Sequence, residues 1–152
     1  MKLLVQRVSQ ASVEIQNENV ATISSGILVF VGFDPSDSNK EIEKLTKKLL
    51  NYKIFNDSSE RVALSVLEAE AEILLVPQVT LSVSTNKGLK PSFSRAANPE
   101  RGFELFKTFK SHLETSYSKL QTGKFGAYMS VSLTNEGPIT YWFEAWLVFI
   151  FN

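Results

Sequence analysis

Two short polar stretches interrupt apolar runs of this chain, and they hold its best candidates for chemistry. The run Ile73-Leu74-Leu75-Val76 closes on Pro77-Gln78-Val79-Thr80. The second stretch, Asn135-Glu136-Gly137-Pro138-Ile139-Thr140, lies between Val131-Ser132-Leu133 and Tyr141-Trp142-Phe143. Proline or an uncharged amide inside a strand-like run weakens packing, which points to a requirement other than packing. On one strand, Gln78 and Thr80 face the same way. An amide and a hydroxyl there would line a pocket, with strand N–H groups nearby as oxyanion donors. The same spacing also fits an ordinary edge strand, where threonine is a good β-former and Pro77 is tolerated.

Asn135 to Pro138 reads as a turn between two strands. Its alternative is a turn that presents carbonyl oxygens to a ligand. Between the two stretches, the segment from Ser84 to Arg95 holds Lys87, Lys90 and Arg95 and no acidic residue. It is either a solvated loop or a flexible basic loop suited to gripping phosphate.

Other chemistry is scarce. The 152 residues contain no cysteine and one histidine, so disulfides, thiolate nucleophiles and Cys- or His-rich metal centres are not expected. No metal ligand and no cofactor is assigned. His112 lies inside a helical pattern and reads as a helix-flank residue. Glu41/Glu43 and Glu68/Glu70/Glu72 read as solvated faces. No Gly-rich phosphate loop, nucleophile elbow or His-Glu-x-x-His pattern occurs. Sixteen basic residues balance sixteen acidic ones, so only a local patch could attract nucleic acid.

The elements that must position these residues follow from periodicity. Leu3-Val5-Arg7 and Ala11-Val13-Ile15 alternate as strands; Val20–Ser24 and Gly26–Phe33 follow. Asp37 or Ser38 caps a helix whose apolar face is Ile42, Leu45, Leu49 and Tyr52. Short strands are expected at 53–55 and 62–66, and a long central strand at 72–83. Asn98 caps a second helix with Pro99 at its first position; Phe103, Phe106, Phe109, Leu113 and Tyr117 mark its buried side. Lys124–Thr134 and Ile139–Glu144 are the last strands. Two helices among about eight strands make one α/β domain over 1–152. Met1–Val5 is too short for a signal peptide. The apolar tail 145–152 is too short to span a bilayer and reads as a packed terminal segment or a self-association surface. No membrane role is expected, and a cytoplasmic location fits best.

Taken together, these residues resemble the D-aminoacyl-tRNA deacylases. The resemblance rests on Val5-Gln6-Arg7-Val8-Ser9-Gln10-Ala11-Ser12-Val13 and Lys87-Gly88-x-Lys90-Pro91-Ser92-Phe93-Ser94-Arg95-Ala96-Ala97. It also rests on Thr122-Gly123-x-Phe125-Gly126-Ala127-x-Met129-x-Val131-Ser132-Leu133 and Asn135-x-Gly137-Pro138-x-Thr140. It implies a compact three-layer β/β/α fold, a homodimer, and hydrolysis of the ester joining a D-amino acid to the tRNA 3′ end. Glycyl-tRNA, including glycine mischarged on tRNA-Ala, would also be accepted. Gln78 and Thr80 would belong to the catalytic signature, with Pro77, Val79, Phe93, Ala96 and Ala97 binding substrate and Lys87, Lys90 and Arg95 facing tRNA. Gly137 and Pro138, held cis, would enter the partner's pocket, oriented by Arg7. The resemblance implies catalysis by the ribose 2′-hydroxyl and main-chain amides; Thr80 as nucleophile is the alternative. One departure stands out: the family usually has Ser-Gln-Phe-Thr where this chain has Pro77-Gln78-Val79-Thr80. A sister group of tRNA deacylases that clears L-alanine carries Pro-Gln here, and a non-catalytic tRNA-binding module of the same fold is the remaining reading.

Overall fold

A computed structural model of the chain describes residues 1–86 and 88–145. Lys87 and the tail from 146 onward, both named above, lie outside the described residues. The strands are β1 (Lys2–Ile15), β2 (Glu18–Ile23), β3 (Gly26–Gly32), β4 (Phe55–Asn56), β5 (Val62–Leu64), β6 (Glu72–Pro77), β7 (Leu120–Thr122) and β8 (Ser130–Glu144). The helices are α1 (Asn39–Asn51) and α2 (Pro99–Ser116), with single 3-10 turns at Val79–Ser82 and Phe93–Arg95. The mixed α/β class expected from the sequence is borne out.

The two alternating segments at the start are one strand. β1 pairs along one side with β8, and along the other first with β3 and then with β2. Its register slips between Gln6 and Val8 and again between Val8 and Gln10. There the strand turns over, because its apolar residues feed two different cores. Leu3 and Val5 pack with Ile27, Val29, Ile73 and Leu75 against α1 and α2. Val8, Ala11 and Val13 pack with Ala21 and Ile23 against Leu28, Leu74 and Val76 on the other face of the same sheet. β3, β6 and β7 are thus covered by helices on one face and by β2 with the far ends of β1 and β8 on the other. This is the three-layer arrangement. β3 and β6 carry near-continuous apolar runs because both their faces are buried.

In α1, Ile42, Leu45 and Leu49 are fully buried, as their spacing predicts. Tyr52 is the cap residue instead, its ring edge-on to Tyr141 and Phe143. Ser38 caps α1 in a reciprocal box with Glu41, so Glu41 is buried and not part of a solvated face. Asp37 serves the chain start, accepting from the Met1 ammonium at 2.6 Å, while its own carbonyl accepts from Arg101. Burial pushes the Asp37 carboxyl above its ordinary value. Burial acts on Asp34 too, but the hydrogen bond from Lys2 and the ammonium charge outweigh it and hold that carboxyl low.

In α2, Asn98 accepts from the Arg101 amide at 2.8 Å with Pro99 following, as expected. Phe106, Phe109 and Leu113 are buried, whereas Phe103 is about half exposed (46%). Its ring faces Phe125 from the following loop, at 5.6 Å between centroids.

Candidate active site

The central strand is shorter than its sequence suggests, and this shapes the site. β6 ends at Pro77, and the chain then makes a 3-10 turn over Val79–Ser82. Gln78 and Thr80 therefore do not share a strand face. β6 is also no edge strand, since β3 flanks it on one side and β7 on the other. Pro77 is tolerated for a local reason. The Gln78 amide donates to Val31 of β3 at 2.7 Å, so the nitrogen of Pro77 faces the β7 side. The β7 ladder has already stopped at Leu75–Thr122. Gly32 makes room for the turn: a Cβ there would stand 2.9 Å from the Leu81 Cβ and 3.0 Å from the Gln78 carbonyl oxygen.

A cleft of about 950 Å³ opens over this turn. Pro77, Gln78 and Val79 line it from the end of β6, and Phe93, Ala96 and Ala97 from the segment before α2. The Ala97 amide donates to the Phe33 carbonyl at 2.9 Å, tying that segment to the end of β3. Six of the residues expected around the substrate thus meet in one place. Thr80 is not among the lining residues, but Gln78 Nε2 donates to its Oγ1 at 2.5 Å. The amides of Val79 and Thr80, the first two of the 3-10 turn, find no acceptor among the described residues. Unpaired N–H groups at the start of such a turn are ready to hold an anionic oxygen.

Sequence reasoning did not select several lining residues: Phe33, Gly102, Phe125, Tyr128 and Met129. Phe125 and Met129 stood in a quoted motif, but no spacing rule places that loop beside β6. Lys90 and Arg95 are exposed, do not line the cleft, and form no ion pair among the described residues. His112 lies on α2, away from the cleft lining.

The second polar stretch is not a turn between two strands. β8 runs unbroken from Ser130 to Glu144 and pairs with β1 on both sides of it. Asn135 lies opposite Val8 and Thr140 opposite Gln6, so residues 136–139 bulge out across from Arg7. The Gly137-Pro138 peptide is cis, and both residues are exposed. Arg7 is buried beneath the bulge. Its Nε donates to the Glu136 carbonyl at 3.3 Å, and one terminal nitrogen donates to the Ile54 carbonyl at 2.9 Å and to Asn56 Oδ1 at 3.1 Å. Asn135 Oδ1 closes the base, accepting from Gln6 and Thr140 at 3.3 Å each. Ile139 plugs the core behind it. Neither Gly137 nor Pro138 lines the cleft of its own chain.

No cluster of three side chains able to hold a metal occurs among the described residues, and none of their helices is long and apolar enough to cross a membrane.

Comparison with known proteins bears directly on this geometry. Residues 4–144 match the family model described as D-Tyr-tRNA(Tyr) deacylase. A D-aminoacyl-tRNA deacylase of Hydrogenovibrio crunogenus is 43% identical over 95% of this chain and 99% of its own length. One of Haemophilus influenzae is 44% identical over 93% of this chain and 98% of its own. A solved structure named c-Myc DNA Unwinding Element Binding Protein superimposes with a TM-score of 0.93 at 38% identity, covering 97% of this chain and 100% of that one. Matched by the family model over residues 4–144 and by relatives 43% and 44% identical over more than nine-tenths of its length, the chain belongs to the D-aminoacyl-tRNA deacylase family.

Proposed function

We propose that the chain hydrolyses the ester joining a D-amino acid to the 3′-terminal ribose of tRNA, as a cytoplasmic homodimer that proofreads translation. The carrying observation is a division of labour within one chain. Gln78 and Val79 line the cleft, and the amides of Val79 and its neighbour Thr80 find no acceptor among the described residues, while the cis Gly137-Pro138 bulge stands exposed elsewhere. A bulge so braced from beneath by a buried arginine suits insertion into a second copy's cleft.

In this reading the substrate carbonyl sits over the Val79 and Thr80 amides, which take up the developing negative charge. The ribose 2′-hydroxyl next to the ester assists attack by water. The bond from the carbonyl carbon to the 3′ oxygen breaks, freeing the amino acid and tRNA. Gln78 holds the substrate beside those amides, and its bond to Thr80 orients the side-chain amide. The partner's carbonyls at 137 and 138 crowd one side of Cα, so hydrogen fits where an L side chain does not. Glycine carries no side chain to exclude, so glycyl-tRNA is accepted as well. Lys90 and Arg95 lie free to meet the tRNA phosphates; Lys87, from the same segment, belongs to this reading by sequence alone.

Purified protein with D-tyrosyl- and L-tyrosyl-tRNA tests this. Release of D-tyrosine far faster than L-tyrosine is expected. Equal rates overturn the D-specific reading, and preference for L-alanyl-tRNA in a parallel arm selects the sister activity that Pro77 suggests. Tight tRNA binding without cleavage selects the non-catalytic module.

A further inference from the structure

We infer that Tyr128 is a stacking platform for an unpaired base next to the terminal adenosine of the tRNA acceptor end. The inference rests on the tRNA-ester reading above. Tyr128 lines the cleft, yet its side chain is 99% exposed. Its loop, from Gly123 to Met129, is held firmly from one end. Phe125 packs between Phe103 and Phe106 at centroid distances of 5.6 and 5.8 Å, and its ring closes on Gly102. The loop is thus anchored while the tyrosine ring makes no use of that anchor.

Phe93, another lining residue, is also about half exposed (53%). Lys124, in the same loop as Tyr128, joins Lys90 and Arg95 in forming no ion pair among the described residues. Exposed aromatic rings on segments that also carry cations without ion-pair partners fit single-stranded nucleic acid, where bases stack on rings and phosphates meet the cations. A folded protein partner would more often cover such a ring with apolar surface, whereas the segments that carry Tyr128 and Phe93 also carry Lys124, Lys90 and Arg95 just outside the cleft lining. The tRNA acceptor end is single-stranded and continuous with the ester in the cleft, so the occupant is the nucleotide one step inward.

The test compares Tyr128→Ala, Tyr128→Phe and the parent on two substrates: D-tyrosyl-tRNA and D-tyrosyl-adenosine, which lacks every neighbouring nucleotide. Tyr128→Ala is expected to raise KM for the tRNA by roughly 5- to 160-fold, the worth of one stacked base. Its kcat should change little, its adenosine-ester kinetics should shift far less than those on the tRNA, and Tyr128→Phe should behave as the parent. A CCA trinucleotide should inhibit the parent more strongly than Tyr128→Ala. Equal losses on both substrates, or no loss on either, overturn the inference. So does a change of oligomeric mass in Tyr128→Ala, which would assign the ring to contact with a second copy. If the parent cleaves neither ester, the deacylase reading itself has failed.

Discussion

If the bulge of one chain completes the cleft of another, two damaged proteins should repair each other. Consider Gln78→Ala, which harms the cleft, and Gly137→Phe, which harms the bulge. A Cβ at Gly137 meets only Asn135 Nδ2, at an ordinary 3.7 Å, and the bulge is exposed. The second substitution should therefore cost the chain about 0.5 kcal/mol or less, in line with surface changes. Its harm falls on whatever the bulge enters. Equal amounts of the two proteins, unfolded together and refolded, give about half mixed dimers by random pairing. Each mixed dimer has one sound cleft, from the Gly137→Phe chain, facing one sound bulge, from the Gln78→Ala chain. The other site is doubly damaged. One site in two on half the dimers is about a quarter of the parent's sites. Release of D-tyrosine from D-tyrosyl-tRNA should accordingly recover to about a quarter of the parental rate, above the residual of each variant alone. A mixture no faster than the mean of the two variants would mean that cleft and bulge act within one chain, and the cross-subunit reasoning would be wrong.

Other expectations follow from the same geometry. Arg7→Ala leaves the buried Ile54 carbonyl without its donor, an orphan costing about 1–3 kcal/mol, and frees the bulge from its tether at Glu136; urea denaturation should show the loss and kinetics a larger fall in turnover, and an unchanged midpoint would count against it. Gly32→Ala drives a methyl against Leu81 and the Gln78 carbonyl, so a loss of about 1–3 kcal/mol is expected, together with slower deacylation as the 3-10 turn shifts. Glu68 is held down to about 2 mainly by the hydrogen bond from Lys53 and then by Ser65. Its folded value lies below its ordinary 4.5, so its contribution to stability is present above that value and fades as pH falls toward about 2. The side chain is exposed and water screens the pair, so the contribution is small; an NMR titration placing the Glu68 carboxylate at its ordinary value would refute the assignment.

Local periodicity alone determined much of this protein. The faces of α1 and α2, the Ser38 and Asn98 caps and most strand positions are set by neighbours a few residues apart, and such signals survive without a tertiary context. The apolar runs of β3 and β6 likewise announce burial on both sides. The residues of the site were visible as anomalies in those patterns, Pro77 and Gly137-Pro138 above all. What they do was decided only by contacts far apart in the chain. Whether residues 135–140 form a turn or a bulge depends on whether one strand pairs on both sides of them, and that partner is β1, more than a hundred residues earlier. Whether Gln78 and Thr80 continue a strand depends on Gly32, whose missing side chain lets the chain fold over, and on where the short β7 ladder stops. Glu41 is a different case: its burial comes with a capping box to Ser38, a neighbour only three residues away. Strand pairing and close packing join residues that are distant in sequence, so their outcome is written in three dimensions even where every participating residue is plain in one.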